Sequence, residues 1–192
     1  MIVALSTSST QSSVALIDNV AGVMWHASEH SPRGASGACL RMLEQMALDT
    51  SVSVADADVF AVDIGPGSFT GVRVGVTLAK MFGFLFGKPV TGATSFDLVS
   101  AAQTVVLPSK KGEFFVREPS CKPYRTLDLP EGEFVGFGPG FEPQTFPDAA
   151  RFEALRGRLV LSDPIEFVPE YLIDPSISTP KKPFQRRRGA DA

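Results

Sequence analysis

Apolar positions fall in short runs over the first thirty residues and then switch to a helical period. Ile2-Val3-Ala4-Leu5, Ser13-Val14-Ala15-Leu16-Ile17 and the stretch 22–26 are separated by a Ser/Thr-rich turn and by Asp18-Asn19. Runs of this length between turn residues predict strands, and connections this short favour an antiparallel meander. Over residues 35–49, Cys39, Leu40, Leu43, Met46 and Ala47 share one helical face, with Arg41, Glu44 and Gln45 on the wet side. A buried strand over 58–64, a tight loop over 65–71 and a second helix over 72–86 follow. Pro89-Val90 opens a short strand, and a third helix covers 95–103 with Ser95 as its N-cap near Asp97.

The second half is less regular. Residues 104–107, 113–117, 134–137 and 158–161 read as strands, and 147–155 as a short helix. Prolines dominate from Pro164 onward. The layout predicts a mixed α/β protein with a complete first lobe over 1–103, a reduced second lobe over 104–174 and an extended basic tail over 175–192.

The most informative stretch is Asp63-Ile64-Gly65-Pro66-Gly67-Ser68-Phe69-Thr70-Gly71-Val72-Arg73-Val74-Gly75, a strand end, a glycine-rich loop and a helix start. Such loops can hold phosphate on backbone N–H groups. Here Thr70 stands where a dinucleotide fingerprint needs Gly, and Gly71-Val72-Arg73 stands where a P-loop needs Gly-Lys-Ser/Thr. Turn chemistry gives the other reading, a tight connection with Thr70 capping the helix. Within that helix Gly71, Gly75, Ala79, Gly83 and Gly87 recur every four residues. An interior glycine costs about 1 kcal/mol relative to alanine, so the ridge needs a close neighbour. The other faces are largely apolar and call for cover on most sides. The pattern allows the ridge to face its own chain or another subunit; the small second lobe favours a subunit interface.

Charge narrows the partners. The net charge is −3, from 18 basic and 21 acidic residues. Lys181, Lys182, Arg186, Arg187, Arg188 and Asp191 lie beyond Pro180, which leaves the body at −7. A body that acidic binds nucleic acid poorly, so any RNA chemistry is expected to run through a partner. The tail, with Phe184, could touch RNA or remain a solvated segment. Cys39 and Cys121 fit neither a metal-ligand spacing nor a disulfide framework. The N-terminus reads as a strand and not a signal peptide. The apolar window 72–86 is expected to be too short for a bilayer and carries Arg73 and Lys80, so a cytoplasmic protein is expected.

Two further patterns are weaker. His26-Ala27-Ser28-Glu29-His30 has the spacing of some zinc peptidases, but that chemistry needs a helix, and here a strand runs into Ser31-Pro32. Solvated histidines are the expectation. The Ser/Thr run from Ser6 to Ser13 could hold phosphate, yet Mg²⁺ sites want a carboxylate, so a polar hairpin turn is expected.

The N-terminal Ile-Val-Ala-Leu-Ser-Thr-Ser, the glycine-rich segment from Gly65 to Gly75, Ala93-Thr94-Ser95-Phe96-Asp97 and Pro169-Glu170-Tyr171-Leu172, in that order, resemble the TsaB (YeaZ) family. The resemblance covers residues 1–100 well and the rest in outline. It implies the two-lobed actin/sugar-kinase/chaperone-ATPase, ribonuclease H-like fold and a non-catalytic subunit of tRNA threonylcarbamoyladenosine formation. Implied partners are a TsaD-like catalytic subunit, a TsaE-like ATPase and, when alone, a second copy, with tRNA contacted indirectly and no membrane. No cofactor of its own is implied, with ATP or ADP placed at the interface of the complex; Thr7, Ser8, Gly67 and Ser68 are the candidate nucleotide contacts. The implied partner interface is Phe69, Thr70, Val72, Arg73, Gly75, Val76, Ala79, Lys80 and Gly83. The chain departs from the family where Ser6 replaces a usual Asp, Ala35 a usual His and Pro108-Ser109-Lys110 a usual Asp-Ala-Arg, and its second lobe is shorter. An active phosphotransferase or ATPase of the same fold and a metallo-glycopeptidase are the alternatives.

Overall fold

The computed structural model describes residues 1–110 and 112–169. Glu170, Tyr171 and Leu172 of the last family motif and the basic tail lie outside the described residues.

Five strands form the first sheet: β1 (Ile2–Ser6), β2 (Gln11–Asp18), β3 (Gly22–His30), β4 (Val59–Asp63) and β5 (Val90–Ala93), in the order β3-β2-β1-β4-β5. The short turns after β1 and β2 give antiparallel pairs, with Ile2 opposite Ile17 and Ser6 opposite Ser13. The pairs β1–β4 and β4–β5 are parallel. Parallel neighbours need a crossover, and the helical stretches supply one each: α1 (Ala35–Thr50) before β4 and α2 (Phe69–Phe86) between β4 and β5.

Strand alternation then assigns the core. Val3, Leu5, Val14, Leu16, Phe60 and Val62 face α1 and α2, meeting Ala38, Cys39, Met42, Met46, Val72, Val76 and Ala79. Ile2, Ala4, Ala15, Ile17 and Ala61 face the opposite side, where Ala149, Phe152 and Leu155 cover them. Burial on both faces is why β1 and β2 read as continuous apolar runs. The cover on the second side is a 3₁₀ turn (Ala149–Arg151) leading into α4 (Phe152–Leu155). Arg156 anchors it by donating from Nη1 to the carbonyls of Asp18 (2.9 Å) and Asn19 (2.8 Å).

The second sheet has the order β8-β7-β6-β9, from β6 (Val105–Pro108), β7 (Phe114–Arg117), β8 (Tyr124–Thr126) and β9 (Val135–Gly136). Helix α3 (Ser95–Val99) belongs to both lobes. Its Phe96 and Val99 pack with Val105, Leu107, Phe115 and Phe137, while Leu98 faces the first sheet. Arg117 Nη1 donates to Asp97 Oδ1 at 2.8 Å across the same junction.

Four expectations change. Ser68 caps α2, its hydroxyl accepting from Gly71 N at 3.2 Å, and Thr70 lies exposed in the first turn. Thr94, not Ser95, caps α3, which ends at Val99. Residues 158–161 form no strand; a 3₁₀ turn (Arg156–Arg158) precedes a single bridge between Ser162 and Val90. Starting at Phe69, α2 reaches 18 residues at mean hydropathy 1.3, enough by length and composition for a membrane candidate. Its Gly71, Val72, Gly75, Val76, Leu78, Ala79 and Gly83 are nonetheless buried against its own protein.

Because Phe152 is fully buried against the second face of the first sheet, Phe152→Ala should cost about 3–5 kcal/mol. Urea denaturation monitored by circular dichroism checks this, and a loss under about 1 kcal/mol would contradict the packing.

Candidate functional site

The carboxyl ends of the parallel strands β1, β4 and β5 converge with the turns that follow them, the place where α/β sheets hold ligands. In this chain that place is filled from within. Asp63 ends β4 and is fully buried. Its Oδ2 accepts from Ser6 Oγ at 2.8 Å and Ser8 Oγ at 2.5 Å, and its Oδ1 from Ser95 Oγ at 2.6 Å and Gly65 N at 2.9 Å. Ser6 Oγ also lies 3.3 Å from the Pro147 carbonyl, in the second lobe. Burial holds the Asp63 carboxyl above the ordinary carboxylate range, against the opposite pull of Ser8, Ser95, Gly65 N–H and Ser6. Among the described residues four donors engage the group and no counter-ion adjoins it.

The glycine ridge of α2 serves the same closure. A Cβ at Gly71 would collide with the Thr7 carbonyl, and one at Gly67 with the Ser8 carbonyl. At Gly75 it would sit 2.5 Å from Thr7 Oγ1 and 3.2 Å from Val62 Cγ2. At Gly83 it would sit 2.8 Å from Val90 Cγ2 and 2.9 Å from Pro164 Cγ. Backbone contacts exploit the approach: Ser68 N donates to Ser8 O at 2.6 Å, and Thr7 Oγ1 to Gly71 O at 2.7 Å.

These contacts bear on the candidate nucleotide contacts and on the expected interface residues. Thr7 and Ser8 are buried and spend their hydroxyls on the chain itself, Gly67 lies over the Ser8 carbonyl, and Ser68 is a helix cap. The four make no open phosphate cradle. Val72, Gly75, Val76, Ala79 and Gly83, expected at a partner interface, are buried beneath α2 against the first sheet, the β1–β2 turn and Pro164. The close neighbour that the ridge required is the chain itself. Lys80 is half-buried and donates from Nζ to the carbonyls of Ile165 (3.1 Å) and Phe167 (2.6 Å).

Of the expected interface, Phe69, Thr70 and Arg73 remain exposed, with the Arg73 guanidinium stacked 3.8 Å over the Phe69 ring. The exposed face continues through Thr77, Met81, Phe84 (71% exposed) and Leu85 (66% exposed). The spacing of 70, 73, 77, 81 and 84 is helical and was available in the sequence; the ridge drew attention away from it. Sequence reasoning also missed Asp63, which reads as an ordinary strand residue, and Ser95 as its donor. His26 and His30 both sit exposed on β3, as expected, and His26 Nε2 lies 3.0 Å from Asp148 Oδ1. Among the described residues no three His, Cys, Asp or Glu are grouped to hold a metal ion.

Gly75→Leu should destabilise the isolated chain, because its side chain must displace Thr7 and Val62. A thermal melt several degrees below wild type is expected; an unchanged melt would return the ridge to the surface. Asp63 gives a pH signature. With its folded pKa raised, its contribution to stability is full below the unfolded pKa and is lost as pH rises through the folded value. The stability advantage of wild type over Asp63→Asn should therefore narrow as pH rises above the ordinary carboxylate range, about pH 4. Denaturant titrations across that window check it, and a constant or widening gap would be the contrary result.

Comparison with known proteins places this arrangement. The family model described as TsaD, tRNA N6-adenosine threonylcarbamoyltransferase, matches residues 18–114. A Haemophilus influenzae protein named tRNA threonylcarbamoyladenosine biosynthesis protein TsaB is 33% identical over 102 residues, 53% of this chain and 42% of that protein. A Mycobacterium tuberculosis relative is 40% identical over 57 residues, 30% of this chain and 26% of its own length. The chain thus spans about a quarter to two fifths of the length of these relatives. The solved structure of YeaZ from Pseudomonas aeruginosa superposes with a TM-score of 0.71 at 21% identity, covering 89% of this chain and 99% of that one. That superposition shows a shared ribonuclease H-like, actin-type fold. With the family model spanning half the chain and the YeaZ fold reproduced, this protein belongs to the TsaB (YeaZ) family within the threonylcarbamoyltransferase-related proteins.

Proposed function

We propose that this chain is an accessory subunit in the formation of threonylcarbamoyladenosine in tRNA, docking through the exposed face of α2 onto a TsaD-like catalytic subunit. The observation that carries the reading is the contrast between the two faces of α2. One face closes the crevice at the strand ends and leaves Asp63 fully engaged by its own chain. The other presents Met81, Phe84 and Leu85 to solvent beside the Phe69–Arg73 stack. Apolar side chains grouped this way on a surface mark an interaction site.

A closed crevice disfavours the phosphotransferase alternative, since transfer needs an accessible carboxylate and room for phosphate. The acidic body favours indirect contact with tRNA, through the catalytic subunit. A TsaE-like ATPase, with ATP or ADP bound at the interface of the complex, completes the proposed assembly in the cytoplasm. The relatives named TsaB support this placement.

Co-purification with the cell's TsaD-like protein, followed by a tRNA modification assay with and without this chain, tests the reading. Phe84→Asp should abolish both the complex and the stimulation while leaving the melting temperature unchanged, because Phe84 is solvent-facing. Full stimulation by the Phe84→Asp chain would refute the α2 docking face.

A further inference from the structure

Three hydroxyls around Asp63 have more oxygen neighbours than protons. Ser6 Oγ lies 2.8 Å from Asp63 Oδ2 and 3.3 Å from the Pro147 carbonyl. Ser8 Oγ lies 2.5 Å from Oδ2, and Ser95 Oγ lies 2.6 Å from Oδ1 and 3.0 Å from Ser8 Oγ. A hydroxyl carries a single proton, so three protons serve these five contacts. An ionised carboxylate is the strongest acceptor in the group, because a charge-assisted hydrogen bond is about twice as strong as a neutral one. With Asp63 ionised, Ser6, Ser8 and Ser95 therefore all donate to it. The Pro147 carbonyl then faces a Ser6 oxygen that has no proton left to give. Among the described residues Ser6 is the donor that reaches that carbonyl.

One added proton changes the allotment. It comes from solvent water and settles on Oδ2. The Gly65 N–H holds Oδ1 as an acceptor and cannot turn, whereas both neighbours of Oδ2 are hydroxyls that can. Pointed at Ser6, the new O–H leaves the Ser6 hydroxyl free to donate to Pro147. Pointed at Ser8, it still removes the charge that held the Ser6 proton, which turns to the carbonyl. Pro147 lies in the second lobe, and Thr145 just before it donates its N–H to the Gly136 carbonyl of β9 at 2.7 Å. A hold on Pro147 is thus passed to the second sheet.

We propose that Asp63 is a proton-operated latch between the lobes: when it is neutral, Ser6 ties the Pro147 carbonyl to β1, and when it ionises, that tie is released. No charged side chain lies on β1, on the β1–β2 turn, on the loop over 64–67 or on β5. Charges on the other elements around Asp63 have partners of their own: Asp97 on α3 pairs with Arg117, Asp148 with His26, and Lys80 on α2 donates to the Ile165 and Phe167 carbonyls. Arg73 lies on the exposed side of α2, over the Phe69 ring. Burial holds the Asp63 carboxyl above its ordinary range, which carries the exchange up from the acid region.

Carbon-detected NMR of the full chain, titrated upward from about pH 4, tests the latch. The Asp63 carboxyl reports its own ionisation, and the Pro147 carbonyl reports the hydrogen bond. Both signals should move with one midpoint. Protection of the Asp148 and Ala149 amides, which donate to Leu98 O and Ser13 Oγ beside the latch, should fall about fivefold across it once corrected for intrinsic exchange. Ser6→Ala should abolish the Pro147 response while Asp63 still titrates. Asp63→Asn should keep the Pro147 carbonyl at its low-pH position throughout, because the amide oxygen stays on the Gly65 N–H and the NH2 donates toward Ser6. A Pro147 signal that stays flat while Asp63 titrates, or that still follows Asp63 in Ser6→Ala, overturns the proposal. So does an Asp63 carboxyl that keeps one state over the whole range in which the chain stays folded.

Discussion

A buried carboxylate persists where donors surround it, and among the described residues Asp63 draws its donors from three separate segments. Ser6 and Ser8 come from the β1–β2 turn, Gly65 from the β4–α2 loop and Ser95 from the start of α3. The Gly65 bond is local, but Ser6, Ser8 and Ser95 are more than thirty residues from Asp63 in sequence, so their hydrogen bonds exist only once β1, β4 and β5 are in register. The glycines of α2 follow from the same constraint. For Ser8 to reach Asp63, the turn that carries it must run directly under the helix, and the carbonyls of Thr7 and Ser8 then occupy the volume where side chains at positions 67 and 71 would stand.

The geometry gives α2 a division of labour. Its inner surface is nearly free of side chains toward the turn and apolar toward the sheet. On its outer surface Phe84 and Leu85 are exposed and join none of the core clusters among the described residues. Large apolar groups kept in water on an otherwise economical helix point outward for a reason other than stability. Residues 165–167 lie beside that outer surface, tied to it by Lys80, whose Nζ donates to the carbonyls of Ile165 and Phe167.

Much of the first lobe was legible in the sequence, for identifiable reasons. The strands β1, β2 and β4 are apolar on both faces, and α1 has a clean amphipathic period, so local pattern and final environment agree. The ridge of Gly71, Gly75, Ala79 and Gly83 announced a close neighbour but carried no information on which one, and the answer depended on a turn more than sixty residues upstream. Ser95 looked like a cap because caps and buried hydroxyl donors use the same residue type; only the position of Asp63 separates the two roles. β8 escaped notice because Tyr124, Arg125 and Thr126 are an exposed sheet edge with no apolar alternation. The exposed stripe of α2 was present in the spacing, but an apolar residue on a helix does not declare whether it meets a core or a partner.

The placement of Ala149, Phe152 and Leu155 bears on which part of the second lobe the first one depends on. These residues come from the far end of the second lobe, yet they roof the first. Strand β7 packs in other clusters, joined to that roof through α3, whose Phe96 and Val99 face Phe115 while Leu98 faces Phe152. Loss of the segment carrying Phe152 would uncover Ile2, Ala15 and Ile17 in the middle of the first sheet. The segment around Phe152 therefore serves the first sheet more than the second, although the chain reaches it only after the second sheet is built.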